Sequence, residues 1–251
     1  MGLRLLCAAP RVTQRTAWRV AALLRSGAVA AVVLAGVAPP AVQAQLAPTV
    51  AEVQAYRGLH AAAQRGDVAE IERLAADQAL LAVRDGNGRT PLHVATFARQ
   101  GAAISALLRA GADSAALDDD RYDAVTVAAV ADDEDSLRRL LQGGASARLV
   151  TSRWDGTALI AAAHLGHAGV VRQLIAAGAP LDHVNNLHWT ALIEAIVLGD
   201  GGPRHQACLR ALLQAGASTR LADREGRTPL ALARARGYGA MVQLLEAAGA
   251  R

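Results

Sequence analysis

Apolar positions recur along this chain with a period of about 33 residues, starting near Gln54 and continuing to the C-terminus. Each period closes on a Gly-Ala pair, and the residue numbers of successive pairs differ by 33, 34, 38 and 33. The pairs are Gly111-Ala112, Gly144-Ala145, Gly178-Ala179, Gly216-Ala217 and Gly249-Ala250. A doublet of Leu or Ile comes shortly before each pair, as Leu107-Leu108 does, which indicates the buried face of a helix. The pattern therefore predicts a series of repeated structural units.

A second marker keeps the same step and predicts where another helix of each unit begins. It is Thr90-Pro91-Leu92-His93 in one unit and Thr228-Pro229-Leu230-Ala231 in another, with related segments at residues 123, 157 and 190. Thr can cap a helix whose first residue is Pro, because the first turn leaves that backbone N–H unpaired anyway. Counting one period back from Thr90 gives Arg57-Gly58-Leu59-His60, a degenerate first unit. Each period thus predicts two helices, the second of which ends at a Gly able to take a left-handed conformation.

These markers together resemble the ankyrin repeat, a family recognised by a 33-residue period and a Thr-Pro-Leu-His helix start. The strongest copies are residues 85–95 and 223–230. The resemblance implies an all-α ankyrin-repeat solenoid of about six helix-turn-helix units with projecting hairpins, over residues 54–251. The predicted units are residues 54–86, 87–119, 120–153, 154–186, 187–224 and 225–251. It also implies noncatalytic binding of a protein partner through the hairpin tips and the concave first-helix face.

Two units depart from the pattern. The third has Tyr122-Asp123-Ala124-Val125 at the helix start, and the acidic run 132–135 where the turn between its helices usually contains Gly, so we expect local weakness there. The fifth has five additional residues, which fall within the Gly- and Pro-rich segment 199–205. Such a segment predicts a protruding loop, which a repeat stack tolerates because the loop breaks no contact between units.

The N-terminal segment predicts export. Residues 1–50 contain five Arg and no acid, and the apolar run 28–38 is followed by Pro39-Pro40 and the small-residue site Val42-Gln43-Ala44. This order is typical of a secretory signal peptide cleaved after about Ala44, which leaves residues 45–53 as a short linker and a periplasmic or secreted protein. An 11-residue run is too short to span a bilayer. The alternative is a transit peptide, which would make the protein an organellar scaffold.

Cleavage changes the charge of the protein. The whole chain has 26 cationic side chains, all of them Arg, and 22 acidic ones, for a formal net charge of +4. Loss of residues 1–44 removes five Arg and no acid, so the mature chain is nearly neutral. This weakens nucleic acid as a partner. We expect a monomer that binds a protein, with no nucleic acid, no cofactor and no membrane insertion after cleavage.

Candidate partner-binding residues lie at the predicted hairpins and the ends of first helices. Tyr122, Trp154 and Trp189 precede three successive helix starts, and rigid aromatic side chains at tips suit recognition. The alternative is that Tyr122 and Trp189 only pack one hairpin onto the next, which leaves Trp154 as the better contact residue. Arg and His side chains nearby can donate directional hydrogen bonds. The full set is Asn87, Arg89, Phe97, Arg121, Tyr122, Arg153, Trp154, His164, His188, Trp189 and Arg224.

Catalytic or metal-binding motifs would be the alternative to this interpretation. His164 and His167 are three residues apart, but a zinc site needs three or four ligands and Gly166 should end the helix between them. A metal or cofactor site using these two residues and the loop near His205 is therefore the competing function. No Gly-rich phosphate loop, nucleophile elbow or His-Glu-x-x-His motif occurs. Cys208 is predicted to be a partly buried, inert thiol, with redox sensing as the alternative.

The sequence therefore predicts a noncatalytic scaffold or accessory protein of the bacterial periplasm. Exported ankyrin proteins of this compact type resemble accessory proteins that support a partner enzyme, for example one of peroxide defence beside a catalase. His60 and His93, at matching places in two units, are expected to hydrogen-bond within the hairpin framework.

Overall fold

The computed structural model describes residues 47–251, so the predicted signal peptide over residues 1–44 lies outside the described residues. Nearly all regular structure in the described part is helical. The α-helices are α1 (Val50–Ala55), α2 (Gly58–Arg65), α3 (Val68–Leu74), α4 (Pro91–Phe97), α5 (Gly101–Arg109), α6 (Ala124–Val130), α7 (Glu134–Gln142), α8 (Ala158–Leu165), α9 (Ala168–Ala176), α10 (Ala191–Val197), α11 (Pro203–Gln214), α12 (Pro229–Ala235) and α13 (Gly239–Ala247). A short 3-10 helix covers Gln78–Ala82, and strands β1 (Val150–Thr151) and β2 (Gly156–Thr157) pair antiparallel.

Twelve of these helices form six pairs, one pair in each predicted unit. The first helices are α2, α4, α6, α8, α10 and α12, and the second helices are α3, α5, α7, α9, α11 and α13. The starts of the first helices follow the predicted chemistry, because the Thr228 hydroxyl accepts the Ala231 backbone N–H at 3.3 Å and Thr190 accepts that of Ile193 at 3.3 Å. Gly111, Gly178 and Gly216 have positive φ just after the second helices, as expected for left-handed helix ends.

The units stack with first helices against first helices and second helices against second helices. Fully buried Leu residues line both rows, such as Leu159 and Leu192 in the first and Leu140 and Leu174 in the second. Each such burial stabilises the fold by about 2 kcal/mol. Small side chains on the first helices, including the buried Ala162 and Ala163, let neighbouring units approach closely. No unit buries its apolar face alone, so the stack is the core.

The first unit differs from the others because a helix replaces its hairpin. Glu52 in α1 lies one period before Asp85, which is in the hairpin of the second unit. Residues 50–53, which the sequence placed in a linker, therefore form the start of α1. The helix begins with a capping box, in which the Glu52 N–H donates to the Thr49 hydroxyl at 3.2 Å and the Thr49 N–H donates to the Glu52 carboxylate at 2.6 Å. It closes the row of hairpins at its N-terminal end.

The insertion in the fifth unit is only partly a loop, which corrects the protruding loop predicted over residues 199–205. Pro203 begins α11, which has 12 residues where α9 has nine. His205, in the first turn of α11, has Nδ1 2.8 Å from the Asp200 carboxylate and Nε2 2.8 Å from the His164 backbone oxygen. The Tyr238 hydroxyl donates to the Gly199 oxygen at 2.9 Å. The insertion is thus hydrogen-bonded to the units on both sides. Residues from Pro203 onward are helical because Pro suits the first position of a helix.

The acidic third unit keeps the helix pair with other capping groups. The Asp123 carboxylate takes the place of the Thr hydroxyl and accepts the Thr126 backbone N–H at 2.8 Å. Asp132 adopts the left-handed conformation at φ 52°, where the matching residue of the fourth unit is Gly166 at 74°. Asp133 caps α7 by accepting the Ser136 N–H at 3.1 Å. Its other carboxylate oxygen, Oδ2, is buried and has no hydrogen-bond partner.

Candidate functional site

The hairpins of successive units form a continuous row that hydrogen bonds hold in register. Each bond connects the tip of one hairpin to the tip of the next, between residues about one period apart. The backbone pairs are Asp119 N–H to Asn87 O at 3.1 Å, Ser152 N–H to Arg121 O at 2.8 Å, and Asn186 N–H to Trp154 O at 3.0 Å. The Arg224 guanidinium extends the row by donating to the Asn186 backbone oxygen. A partner would therefore meet an ordered surface.

Three successive hairpins contain a side chain where a glycine would relieve strain. Gly88 and Gly226 have φ values of 71° and 75° in the second and sixth units. At the matching positions of the third, fourth and fifth units stand Arg121, Asp155 and His188, with φ values of 65°, 52° and 64°. The left-handed conformation costs about 1 kcal/mol or more for residues with a Cβ, and such strain is concentrated at functional sites. These three hairpins therefore retain side chains at a cost in stability.

The hairpin of the fourth unit presents the most exposed aromatic side chain among the predicted site residues. Trp154 is 46% exposed at its tip, between strands β1 and β2. Its neighbours are fixed by ion pairs to other hairpins, because Arg153 bonds the Asp120 carboxylate and Arg121 reaches Asp155 at 3.4 Å. Exposed pairs of this kind contribute little stability, and here they connect the residues on either side of the indole to the preceding hairpin.

The other two hairpin aromatics are less accessible. Trp189 is half-buried and packs against the hydrophobic core, and its backbone N–H donates to the Asn185 side-chain oxygen at 3.0 Å. Tyr122 is also half-buried, and burial raises the pKa of its hydroxyl. Both side chains thus lie as hairpin-to-hairpin packing would place them. Trp154 is the residue of this set that projects into solvent.

Asn186, His188 and Arg224 form a polar group beside Trp154, at the tips of the last two hairpins. Arg224 donates from Nε to His188 Nδ1 at 3.2 Å, so the neutral imidazole carries its proton on Nε2. Asn186 donates from Nδ2 to the Arg153 backbone oxygen at 3.1 Å. The predicted residues His188 and Arg224 are therefore brought together, although 36 residues separate them.

Arg89 is a buried structural residue, and this contradicts its prediction as a partner contact. It is 3% exposed, and its guanidinium lies 3.4 Å from both the Glu52 and the Asp85 carboxylates and 5.5 Å from the centre of the Phe97 ring. Tyr56 donates its hydroxyl to Asp85 at 2.7 Å. Burial raises the pKa of Asp85, but hydrogen bonds from Tyr56 and from backbone N–H groups outweigh it and hold that pKa below the usual value.

Asn87 and Phe97 belong to the same buried cluster. Asn87 is half-buried and donates its side-chain N–H to Glu52 in α1, so the helix that replaces the first hairpin occupies this group. Phe97 ends α4 and is half-buried beneath the Arg89 guanidinium. Asn87 therefore helps to attach α1, and Phe97 packs against the arginine that pairs with Glu52, at the opposite end of the hairpin row from Arg224.

His164 and His167 point to different units, which contradicts a site shared by the two. His164 Nδ1 lies 3.4 Å from a Glu194 carboxylate oxygen in α10, whereas His167 Nδ1 lies 2.9 Å from the Ala129 backbone oxygen in α6. Gly166, between them, ends α8 in the left-handed conformation. Within residues 47–251, no group of three or more His, Cys, Asp and Glu side chains is placed to hold a metal ion.

Glu194 is a buried residue outside the set of sites predicted from the sequence. Its carboxylate accepts the Asn185 side-chain N–H at 2.8 Å and faces His164. The signal was present in the alignment of units, because the matching positions are the apolar Ala161 and Val127. A charged residue in an apolar row marks a buried polar network, which here orients His164 at the edge of the first-helix face.

Two predictions about hydrogen bonding and reactivity agree with the structure. His60 Nε2 lies 3.0 Å from the Arg89 backbone oxygen, and His93 Nε2 lies 3.0 Å from that of Tyr122, so both join one unit to the next hairpin. Cys208 is fully buried in α11, and burial raises the pKa of its thiol to about 12. A thiol that remains protonated and inaccessible is inert. None of the helices over residues 47–251 has the length and apolar composition needed to cross a bilayer.

Comparison with known proteins gives consistent matches. A family model of three ankyrin repeat copies matches residues 125–218, and a second model of ankyrin repeats matches residues 59–108. The ankyrin repeat protein YahD of Escherichia coli K12 is 38% identical over 190 residues, which cover 75% of this chain and 94% of YahD.

Solved structures agree with these matches. The crystal structure of an ankyrin repeat domain from Acinetobacter baumannii AYE is 44% identical, with a TM-score of 0.72, over 77% of this chain and 98% of that domain. The ankyrin repeat domain of Bcl-3, a member of the IkappaB family, is 28% identical with a TM-score of 0.70, over 78% of this chain and 87% of that one.

Proposed function

Because the chain belongs to the ankyrin-repeat family, we propose that it is a noncatalytic scaffold or accessory protein that binds a protein partner through its hairpin tips and first-helix face. Ankyrin repeats are protein–protein interaction modules, and their stacked units supply extended binding surfaces. The partner contacts are proposed to centre on the third to sixth hairpins, since α1 covers the hairpin of the second unit.

One observation carries the proposal, namely the exposed indole of Trp154 in a row of ordered and strained hairpins. Large aromatic side chains fixed at a surface lose little entropy when a partner covers them. The non-glycine residues Arg121, Asp155 and His188 in left-handed conformations flank this indole on three successive units. A stack that served only as a fold would be more stable with glycine at those positions.

The compartment is proposed to be the bacterial periplasm, with export directed by residues 1–44. This rests on the basic, apolar and small-residue order of that segment. The partner is proposed to be an enzyme of the same compartment that the scaffold supports, such as one of peroxide defence. The family resemblance is what favours this choice.

A crosslinking pull-down from the native periplasm tests the binding function. We expect that Trp154→Ala reduces capture of the partner about ten-fold while the helical circular dichroism signal is unchanged. Val50→Ala is the matched control, because Val50 is an exposed apolar residue on α1, away from the third to sixth hairpins. Equal capture by the two variants would remove Trp154 from the binding surface.

N-terminal sequencing of the purified protein tests the compartment separately. A start near Gln45 in a periplasmic fraction supports export, whereas a start at Met1 contradicts it. Growth of a deletion strain in hydrogen peroxide tests the proposed partner class, with normal resistance as the contrary result.

A further inference from the structure

The tips of the last three hairpins place apolar and cationic groups side by side. We define the tip face as Trp154, Asn186, Leu187, His188 and Arg224. We propose that the tip face binds a protein segment in which an Asp or Glu lies three to six residues from a large apolar side chain. This rests on the proposed binding function and specifies the chemistry of the partner.

The apolar part of the tip face consists of Trp154 and Leu187, which occupy matching positions of the fourth and fifth hairpins. The matching residues of the other hairpins are polar, namely Asn87, Asp120 and Glu225. Trp154 is exposed and Leu187 is half-buried. The backbone bond between Asn186 and Trp154 holds the two tips together. Two neighbouring apolar side chains on otherwise polar tips suit the apolar side chain of a partner.

The cationic part is Arg224, whose bonding partners differ in charge from those of three other hairpin arginines. Arg121, Arg153 and Arg227 each bond a carboxylate, of Asp155, Asp120 and Asp223 respectively. Arg224 instead bonds two uncharged acceptors, the Asn186 backbone oxygen and the His188 imidazole. These bonds fix the guanidinium and leave its charge without a carboxylate within the described chain. A fixed guanidinium is a strong binding group for a carboxylate, because little freedom is lost on binding.

The spacing of the partner groups follows from the stack. Packed helices of neighbouring units lie about 10 Å apart, and an extended chain covers that distance with about three residues. Leu187 and Arg224 belong to adjacent hairpins, and Trp154 lies one hairpin further away. An acidic side chain bound by Arg224 would therefore be about three residues from a group on Leu187 and about six from one on Trp154.

A protein carboxylate suits this surface better than a nucleic-acid phosphate does. Residues 47–251 contain 21 Arg and 22 Asp or Glu, so the stack offers a polyanion no net attraction. Asp119 and Asp120 lie at the tip of the third hairpin, in the same row, and would repel a long phosphate backbone. A single carboxylate beside Arg224 avoids them.

Selection from a random twelve-residue peptide display library against the full-length protein tests the proposal. We expect enriched peptides to share an Asp or Glu at three to six residues from an aromatic or aliphatic residue. The affinity of such a peptide should fall about ten-fold or more for Trp154→Ala and for Arg224→Glu. A selection on Arg224→Glu should instead enrich Lys or Arg at the acidic position. Arg210→Glu is the control, because Arg210 is exposed on α11 and outside the hairpin row.

Three outcomes would overturn the proposal. They are enrichment of peptides without an acidic residue, equal binding of the acidic peptide to the Arg224→Glu and Arg210→Glu variants, and preferential binding of a fluorescent DNA duplex through Arg224. If the pull-down captures a partner but no peptide is enriched, only this proposal fails. If the pull-down also captures nothing, the proposed function fails with it.

Discussion

The imidazole Nε2 of His93 lies 3.0 Å from the backbone oxygen of Tyr122, so a first helix of one unit is bonded to the next hairpin. The other ring nitrogen, Nδ1, accepts the Thr90 backbone N–H at 3.2 Å. Because Nε2 must donate while Nδ1 accepts, the ring is neutral in the folded protein. The pKa of His93 is lowered to about 4, mainly because the ring is buried.

This bond predicts a loss of stability in mild acid. An unfolded His has a pKa near 6.5, so between about pH 6.5 and 4 the unfolded chain takes up a proton that the folded chain refuses. The contribution of His93 to stability is therefore complete above about pH 6.5, falls as the pH drops through this window, and is fully lost below about pH 4. We expect His93 to account for about 3 kcal/mol of that fall in the free energy of unfolding.

The variants His93→Gln and His93→Ala separate titration from hydrogen bonding. Gln keeps an N–H donor and does not titrate, so His93→Gln should flatten the pH dependence and retain most of the stability at pH 7. Ala should flatten it too but lower the stability at pH 7 by about 1–3 kcal/mol. Urea unfolding from pH 7 to 4 measures both effects. An unchanged slope in His93→Gln would contradict the assignment.

Arg89 and Arg227 occupy matching positions of two units and should differ in their contribution to stability. Arg89 is buried with Asp85, whereas the Arg227 side chain is 54% exposed while bonding Asp223 at 2.7 Å. Arg89→Ala takes the cation from the Asp85 carboxylate and also empties a buried site beside the Phe97 ring, so it should cost about 3 kcal/mol or more. Arg227→Ala should cost less, about 1–2 kcal/mol, because the exposed guanidinium fills no buried site and its removal opens the Asp223 carboxylate to water. Equal losses in denaturant unfolding would show that burial of Arg89 does not decide its role.

In other units a side chain just before the second helix bonds a backbone oxygen of the preceding unit. Asp133 occupies this position in the third unit. At matching positions, His167 has a ring nitrogen 2.9 Å from the Ala129 oxygen, and Tyr238 donates to the Gly199 oxygen at 2.9 Å. An ionised Asp cannot donate, and its buried Oδ2 has no partner. This gives a physical reason for the weakness predicted in the third unit.

Asp133→Asn should therefore raise the free energy of unfolding by about 1 kcal/mol, because Asn keeps the helix cap and removes a buried carboxylate oxygen that has no hydrogen-bond partner. Asp67→Asn is the control. Asp67 caps α3 in the same way, at 3.1 Å from the Glu70 N–H, but belongs to the first unit and is not buried. We expect that control to change stability by about 0.5 kcal/mol or less. A loss of stability in Asp133→Asn, measured by thermal unfolding, would contradict the explanation.

The thiol of Cys208 should be unreactive in the folded protein, since it is fully buried and burial raises its pKa to about 12. We expect an aromatic disulfide reagent to modify it only as fast as the protein unfolds, and rapidly in denaturant. Fast labelling under native conditions would instead support the redox-sensing alternative.

Most of the fold could be predicted from the sequence because its signals are periodic or local. Thr228 before Pro229 predicts a helix start, Leu107-Leu108 before Gly111 predicts a helix end, and recurrence in phase makes the prediction strong. The structure differs where the signal is not repeated. The pattern of units gave no indication that α1 would replace the first hairpin, or that Pro203 would start a longer α11 in place of a loop.

For the candidate site, too, local features could be predicted from the sequence and contacts between units could not. Trp154 could be placed at a hairpin tip from its distance to Thr157, and its exposure agrees with that prediction. The sequence could not distinguish Arg89 from Arg224, although both are hairpin arginines. Arg89 is covered by Glu52 of α1, whereas Arg224 meets only Asn186 and His188 of the neighbouring hairpin.

The sequence by itself determined the helical repeats, their number and their caps, because hydrophobic period and capping depend on residues within one unit. Only the tertiary structure decided which side chains a partner can reach and which ionisable groups meet. His164, in α8, faces Glu194 of the following unit, whereas His167, in the turn after α8, faces Ala129 of the preceding unit. Burial and pairing across units arise from stacking, and no spacing within a single unit encodes them.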